Sequence, residues 1–462
     1  MKIFQKQNYG WFLFLFLCFI PALLWLKAPS EDRFSNFTQT MTNIGQLLGL
    51  IGAAMFGLNL ILSARIPWLE KYFDGLNKVY EKHSLIGQIA LILLLFHPLF
   101  LLPQYSSGFF RQAAYFLLPG TNWAQNFGIF SLILMIVLIV LTLYLRPKYN
   151  IWKFTHKFLG FAFFLGALHI FLIPSDTSRY LPLRIYMLGM AGIGLTAFIY
   201  RTLLTEWLVK KYLYIIAKIS PLTENIVEID LNPKNQVINF LPGQFIFISF
   251  KDQNISNEVH PFSISSAPSE KELKVTVKKL GDYTNIIDKL NVGAIAEIEG
   301  PFGIFSYKKA NFKKQIWIAG GIGVTPFVSM LKDLDLNEYA VDFYYCVRNK
   351  AEAIYHDLFM SKISANFKFI PYFSEQKPRL TADFVDGNSG LKDKSIFICA
   401  PVKMIQVLKK QFIAKAPSKN NFLQIAFKKR LDLAFLIEQN WKHNLSYGEN
   451  FAIEEKSKMN AY

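Results

Sequence analysis

The stretch "HSLIGQIALILLLFHPLF", residues 83–100, begins at His83, and a second histidine, His97, follows after thirteen residues without a charge. A bilayer-crossing helix needs about 20 apolar residues, and this segment is long enough. Polar side chains inside such spans are costly and tend to be functional. A second stretch, "HKFLGFAFFLGALH" at 156–169, repeats the arrangement with His156 and His169. The steps are 14 and 13 residues, so each pair is separated by about 20 Å along its helix.

Working outward, 52% of the 462 residues are hydrophobic, and the charge-free runs cluster before about residue 205. Six apolar spans are expected, at roughly 9–27, 43–63, 83–103, 126–145, 156–174 and 183–204. The first follows Lys2 and Lys6 but has no A-x-A cleavage site, so it reads as a retained span rather than a signal peptide. Basic residues mark alternate loops: Arg65, Lys71, Lys78 and Lys82, then Arg146, Lys148, Lys153 and Lys157, then Arg201, Lys210 and Lys211. Only Arg111 lies between spans three and four. The positive-inside rule therefore predicts a multi-pass protein of the plasma (inner) membrane with both termini cytoplasmic. The net charge of +17 reads as membrane-flanking and anion-binding charge, with no nucleic-acid partner expected. Cys18, Cys346 and Cys399 form no CxxC pair and no disulfide framework, which suits a reduced cytosolic half.

Spans three and five run in the same direction. His83 and His156 then share one level, and His97 and His169 a second. Two levels with two imidazoles each suit two haems, each held between facing helices. Zinc fits less well, since about 20 Å separates the levels and no carboxylate or cysteine joins them; structural or proton-relay roles remain the alternatives. A 14-residue step returns to within about 40° of one helix face, but a 13-residue step lands about 140° away. The fifth span is therefore expected to bend, with Gly160 and Gly166 as sites of distortion, or to place its haems on different sides.

Beyond about 212 the pattern changes to short strand-like runs: "IVEIDL", "QFIFISF" and "LKVTVKKL". They predict a small antiparallel barrel over 206–308. After about 315, "QIWIAGG", "PFVSMLKDL" and "YAVDFYYCVR" alternate strand with helix, predicting a parallel α/β domain over 309–427. The barrel contains "HPFSISSAP" (260–268), "VKKLGDYT" (277–284) and "GPFG" (300–303), where hydroxyls, a lysine and a glycine turn could hold a phosphorylated aromatic cofactor. The α/β domain opens on "AGGIGVTP". Its Gly320, Gly321 and Gly323 let the backbone approach a phosphate at a helix N-terminus. Thr325 is expected to cap that helix and Pro326 to open its first turn. "CVRNK" offers Arg348 and Lys350 and no acidic residue, which favours the 2′-phosphate of NADPH over NADH. Cys399, in "IFICAPVKM", falls at a strand end where a ligand crevice is expected.

Together these residues resemble the ferric reductase and NADPH oxidase superfamily, over about residues 43–427. The resemblance implies a six-helix membrane bundle (1–205) with two b-type haems on His83, His97, His156 and His169. It also implies a fused ferredoxin–NADP reductase-like module. Its HPF[ST] segment, which contacts FAD, falls on His260, Pro261, Phe262 and Ser263. Its basic residue on the next strand falls on Lys278, and its G-D-x-T on Gly281, Asp282 and Thr284. Its GGxGxTP loop, which contacts NADPH, falls on Gly320, Gly321, Gly323, Thr325 and Pro326. Its C-G-P motif beside the nicotinamide appears as Cys399, Ala400 and Pro401, with alanine in place of glycine, and Cys399 is the catalytic candidate. Its terminal aromatic near the flavin falls on Phe427, although "FLQIAF" lacks the family's glutamate. The remaining 428–462 reads as an amphipathic helix on the membrane or on the reductase domain.

The expected activity is electron transfer from cytosolic NADPH through FAD and two haems to an acceptor outside. Dioxygen giving superoxide is favoured. A ferric chelate or a periplasmic protein partner are the alternatives, and a histidine-bearing transporter is the non-redox one.

Overall fold

The computed structural model describes residues 9–415, apart from 31–32, 67–68, 70–71, 74, 106–114, 146 and 148, together with 422–427. The expected basic residues Lys2, Lys6, Lys71, Arg111, Arg146 and Lys148, and the 428–462 segment, lie outside the described residues. The chain divides into two compact units, with the boundary between Leu208 and Val209.

Among the described residues, the first unit holds six helices long and apolar enough to cross a membrane: α1 (Tyr9–Lys27), α2 (Phe37–Ser63), α3 (Leu76–Leu101), α4 (Trp123–Val140), α5 (Tyr149–Leu172) and α6 (Leu181–Thr202). Several begin earlier than the apolar runs. Hydropathy marks the part that suits a hydrocarbon core, whereas the helix continues into its polar flanks. The start of α2 is fixed by Asn36, whose side chain accepts from the Gln39 N–H at 2.9 Å. Helix α4 passes directly into a π-helical segment, Leu141–Leu145. Outward-facing Leu13, Phe16, Phe19 and Ile133 are exposed, as apolar side chains are on a bundle that faces lipid.

Small residues let α2 run through the bundle interior, packed along α1, α3 and α6. A Cβ added to Gly194 of α6 would lie 3.0 Å from the Gly57 carbonyl oxygen of α2. These two helices therefore touch backbone to backbone. Trp25, Leu50, Leu183 and Met187 form a buried cluster across α1, α2 and α6.

The second unit starts with a six-stranded antiparallel sheet. Its strands are β1 (Tyr212–Thr223), β2 (Ile226–Pro233), β3 (Phe245–Lys251), β4 (His260–Ser263), β5 (Leu273–Lys278) and β6 (Ile295–Phe302), in the order β4-β3-β6-β1-β2-β5. Just past β4, an antiparallel bridge pairs Ile264 with Val275 of β5. The two outer strands are thereby joined and the sheet closes into a barrel, which removes its open edges. Ile229, Ile246, Ile248, Phe250, Val275 and Ile298 fill the interior.

A five-stranded parallel sheet follows, with β7 (Lys314–Gly320), α7 (Thr325–Asp333), β8 (Ala340–Val347), α8 (His356–Met360), β9 (Phe367–Phe373), α9 (Ala382–Ser389), β10 (Ser395–Pro401), α10 (Val402–Lys415) and β11 (Phe422–Phe427). The order β11-β10-β7-β8-β9 places the switch in winding between β7 and β10. In open α/β sheets, ligands bind outside the carboxyl ends of the strands at that point.

Because α2 and α6 meet through two glycines, Gly194→Val should overpack the crossing at a cost of about 1–3 kcal/mol. The expected readout is a lower melting temperature of the detergent-solubilised protein. An unchanged melting temperature would show that the crossing tolerates the added volume.

Candidate functional site

In the membrane unit the four histidines come together in the expected pairs. The ring centroids of His83 and His156 are 6.2 Å apart with planes at 64°. Those of His97 and His169 are 6.4 Å apart at 66°. Two imidazoles ligating one metal from opposite sides hold their centroids roughly 6.3 Å apart, taking about 2 Å per metal–nitrogen bond and about 1.1 Å from nitrogen to ring centre. Both pairs meet that requirement. Among the described residues no group of three or more His, Cys, Asp or Glu gathers as a metal site, so each level offers two protein ligands. Helix α3 packs along α2, and α5 along α4. The imidazoles are what the two histidine helices present to each other.

Local chemistry fixes how each ring is presented. The Gly45 carbonyl lies 2.7 Å from His97 Nδ1, and the Ala124 carbonyl 2.7 Å from His169 Nδ1. A carbonyl only accepts, so Nδ1 carries the proton and Nε2 keeps its lone pair for a metal. Each ring also has a glycine seat. A Cβ on Gly49 would fall 2.6 Å from His97 Nδ1, and one on Gly128 would fall 2.9 Å from His169 Nδ1. At the other level, the Asn59 amide donates to the His83 carbonyl at 3.2 Å, and the Trp152 ring packs against His156 at 5.2 Å between centroids, tilted by 30°. The Nδ1 atom of His156 is buried without a hydrogen bond from the protein. Helix α5 is α-helical through both histidines, so the 13-residue step is accommodated without a break in helix type.

In the second unit, His260–Ser263 form β4 and pair with β3. Tyr283 stacks on the His260 ring at 4.1 Å, and Glu258 lies 2.9 Å from His260 Nε2. Lys278 ends β5 opposite Ile226. The hydroxyl of Thr284 accepts from the N–H groups of Leu280 at 3.0 Å and Gly281 at 3.1 Å, which holds the G-D-x-T turn closed. Burial raises the Tyr283 phenol above its ordinary range, keeping it protonated.

The dinucleotide candidates converge at the switch point. Gly320 ends β7, and Gly321–Val324 form a 3-10 turn ahead of α7. A Cβ on Gly323 would collide with the Cys399 carbonyl oxygen, and one on Gly320 would lie 2.8 Å from the Ala400 methyl. The glycine loop and the Cys-Ala-Pro strand end are thus in direct contact, and Gly320 leaves the room that Ala400 occupies. The expected cap is corrected here. Thr325 is the first residue of α7, and its hydroxyl donates to the Ile322 carbonyl at 3.1 Å instead of accepting from the helix. Cys399 is fully buried, and burial pushes its thiol well above the ordinary cysteine range. It is therefore a neutral thiol packed in the core rather than a thiolate. The backbone of Phe427 pairs with Pro401 at the end of β11; its side chain is outside the described residues.

Arg348, just past β8, is 72% exposed, and its Nε lies 3.3 Å from Glu375 Oε1. Asn349 Nδ2 donates to the same oxygen at 3.3 Å. The strand end of β8 lacks an acid, but the fold supplies one from the end of β9. Sequence reading missed it because 27 residues separate the pair.

Residues 48–167 match the ferric reductase like transmembrane component, and 212–316 match an FAD-binding domain. A superoxide-generating NADPH oxidase heavy chain of Dictyostelium discoideum is 27% identical over 212 residues, 41% of this chain and 38% of that protein. Ferric reduction oxidase 8, mitochondrial, of Arabidopsis thaliana is 36% identical over 115 residues, 22% of this chain and 16% of that protein. The chain spans less than half the length of either relative. A ferredoxin NADP+ reductase of Neisseria gonorrhoeae aligns with 47% of this chain and 99% of its own, at 16% identity and a TM-score of 0.42. The chain is thus a multi-pass membrane protein that joins a ferric-reductase-like membrane component to an FAD-binding domain, and NADPH oxidases and ferric reductases are among the proteins it is similar to.

Proposed function

We propose that the chain moves electrons from cytosolic NADPH across the plasma (inner) membrane to dioxygen, giving superoxide, with FAD and two b-type haems as its bound carriers. The observation that carries this reading is the pair of imidazole couples, 6.2 and 6.4 Å between centroids, in one chain with an FAD-binding domain. FAD, when bound, converts hydride chemistry to single-electron chemistry, and haem relays single electrons.

Each residue has a role in this scheme. His83 and His156 hold the carrier at the cytoplasmic level, and His97 and His169 hold the one beyond it. The Gly45 and Ala124 carbonyls orient the second pair. His260, Pro261, Phe262, Ser263, Lys278, Gly281 and Thr284 cradle the flavin nucleotide. Gly320, Gly321, Gly323, Thr325 and Pro326 take the dinucleotide pyrophosphate, and Arg348 takes a 2′-phosphate. The strand end that carries Cys399, Ala400 and Pro401 lies beside the nicotinamide, and Phe427 stands near the flavin. Lys78, Lys82, Lys153 and Lys157 flank the His83/His156 end of their helices, which supports cytoplasmic termini. Outward movement of negative charge then runs down a negative-inside potential, worth about 2.3 kcal/mol per 100 mV for a full crossing.

A ferric chelate is the second reading, favoured by the 36% identity to a ferric reduction oxidase. Purified protein supplied with FAD and NADPH separates the two. Superoxide-dismutase-sensitive cytochrome c reduction in air is the expected result, and anaerobic turnover that needs ferric chelate would replace it with the alternative. A reduced-minus-oxidised spectrum without b-type bands overturns the haem assignment.

Two substitutions test the ligand levels. His97→Ala should remove about half of the b-type absorbance, leaving the His83/His156 level loaded; full retention would refute the pairing. Gly128→Ala pushes a methyl against His169 and should lower or broaden the same half of the spectrum. An unaltered spectrum would mean that the imidazole has room to move.

A further inference from the structure

Hydride transfer between a nicotinamide and a flavin requires the dinucleotide loop and the flavin strand to be held in register, since an error of about 1 Å can cost on the order of 100-fold in rate. Within the second unit, the flavin strand belongs to the barrel and the dinucleotide loop to the parallel sheet. Two side-chain hydroxyls connect them. Ser329, fully buried in α7 directly behind the glycine loop, donates through Oγ to the Ser266 carbonyl at 2.6 Å. Tyr355, on the segment that follows Arg348, places its hydroxyl 2.6 Å from Thr276 Oγ1 of β5 and donates to Glu228 of β2. Glu228 and Thr276 are cross-strand partners. With the Tyr355 proton given to Glu228, Thr276 donates to Tyr355, and Ser265 Oγ donates to Thr276 Oγ1 at 3.1 Å.

Both tethers end on the continuation of "HPFSISS". Ser265 N–H donates to the Lys274 carbonyl at 2.8 Å, and Ser266 Oγ accepts from the Lys274 N–H at 3.0 Å. Ser265, Ser266 and Thr276 are buried, so these contacts are shielded from water. Tyr355 adopts φ 60° and ψ 14°, a left-handed conformation that a bulky residue rarely takes and that persists where surrounding contacts enforce it.

We propose that Ser329 and Tyr355 are positioning residues, whose hydroxyls clamp residues 265–266, the continuation of the flavin strand, to α7 and to the start of α8, which follow the dinucleotide-binding strand ends. Neither side chain needs to touch the reacting atoms. The clamp rests on the proposed function, in which hydride passes from C4 of the nicotinamide to the flavin before single electrons leave.

The test uses the full chain loaded with FAD, under anaerobic conditions, with stopped-flow detection of flavin bleaching by NADPH and by NADPH deuterated at C4. Ser329→Ala and Tyr355→Phe should each slow flavin reduction per bound FAD by roughly 10–100-fold. The primary isotope effect should rise, while FAD occupancy and the NADPH concentration for half-saturation stay within about twofold of wild type. A residue that only stabilises the fold would lower the melting temperature or the FAD content without changing the rate per flavin; that outcome overturns the proposal. If Tyr355→Phe fails to fold, Ser329→Ala carries the test by itself. Wild-type flavin that neither NADPH nor NADH bleaches would overturn the functional reading, and the clamp with it. A bleaching wild type with unchanged variants removes the clamp alone.

Discussion

Every imidazole in the membrane unit has two ring nitrogens to satisfy, and the structure depends on how it answers that constraint. At the His97/His169 level one nitrogen of each ring is bound to a backbone carbonyl, which leaves the other for a metal. The carbonyls belong to the neighbouring helices α2 and α4, not to the helices that carry the histidines. Each histidine helix is therefore locked to a partner, α3 to α2 and α5 to α4, and the rings are aimed across the space between the two couples. Gly49 and Gly128 complete the arrangement, because any side chain there would displace the ring. At the His83/His156 level the Nδ1 atom of His156 has no hydrogen bond from the protein, and Trp152 packs against its ring.

The same logic of close approach governs the second unit with different chemistry. Where the membrane unit uses glycine to seat a ring, the α/β sheet uses it to bring two strand ends into contact. Gly323 lies against the Cys399 carbonyl and Gly320 against Ala400. The topological switch between β7 and β10 is what makes those strand ends neighbours. An alanine in the Cys-Ala-Pro strand end is compatible with this packing because its methyl fills the space that Gly320 leaves, inside a buried cluster that includes Ile318 and Ile398.

Much of this was readable from residue pattern. Six charge-poor runs became six helices, and the two histidine levels followed from steps of 14 and 13 residues because helical rise is nearly constant. Alternating short runs gave a barrel, and strand–helix alternation gave a parallel sheet. What escaped was set by tertiary register. An apolar run does not say where its helix caps, so α2 and α3 start earlier than expected. A glycine in such a run does not announce which ring it faces, so Gly49 and Gly128 carried no signal. The azimuth expected of the 13-residue step holds for an isolated straight helix. The pairing depends instead on how α3 and α5 are oriented in the bundle, and on χ angles that swing the ring away from its Cα direction.

The nucleotide end illustrates why strand-local reading can mislead. Absence of an acid after β8 favoured a 2′-phosphate ligand on Arg348. In the fold, Glu375 is brought beside that arginine from the end of β9, anchored by backbone hydrogen bonds from Ser374 to Val347 and from Glu375 to Arg348 at 3.0 and 3.1 Å. Because the pair is exposed, its own attraction is weak, on the order of 0.2–1 kcal/mol. Under the proposed function, a doubly charged phosphate would compete for Arg348 against the neighbouring carboxylate, a group able to accept from ribose hydroxyls. Under the proposed function, preference for NADPH over NADH would thus be a balance between two side chains from different strands. Glu375→Gln should tilt it: the ratio of kcat/KM for NADPH to that for NADH should rise several-fold, mainly through a lower KM for NADPH. If the ratio stays constant, Arg348 alone sets the preference and the carboxylate serves only to order the loop.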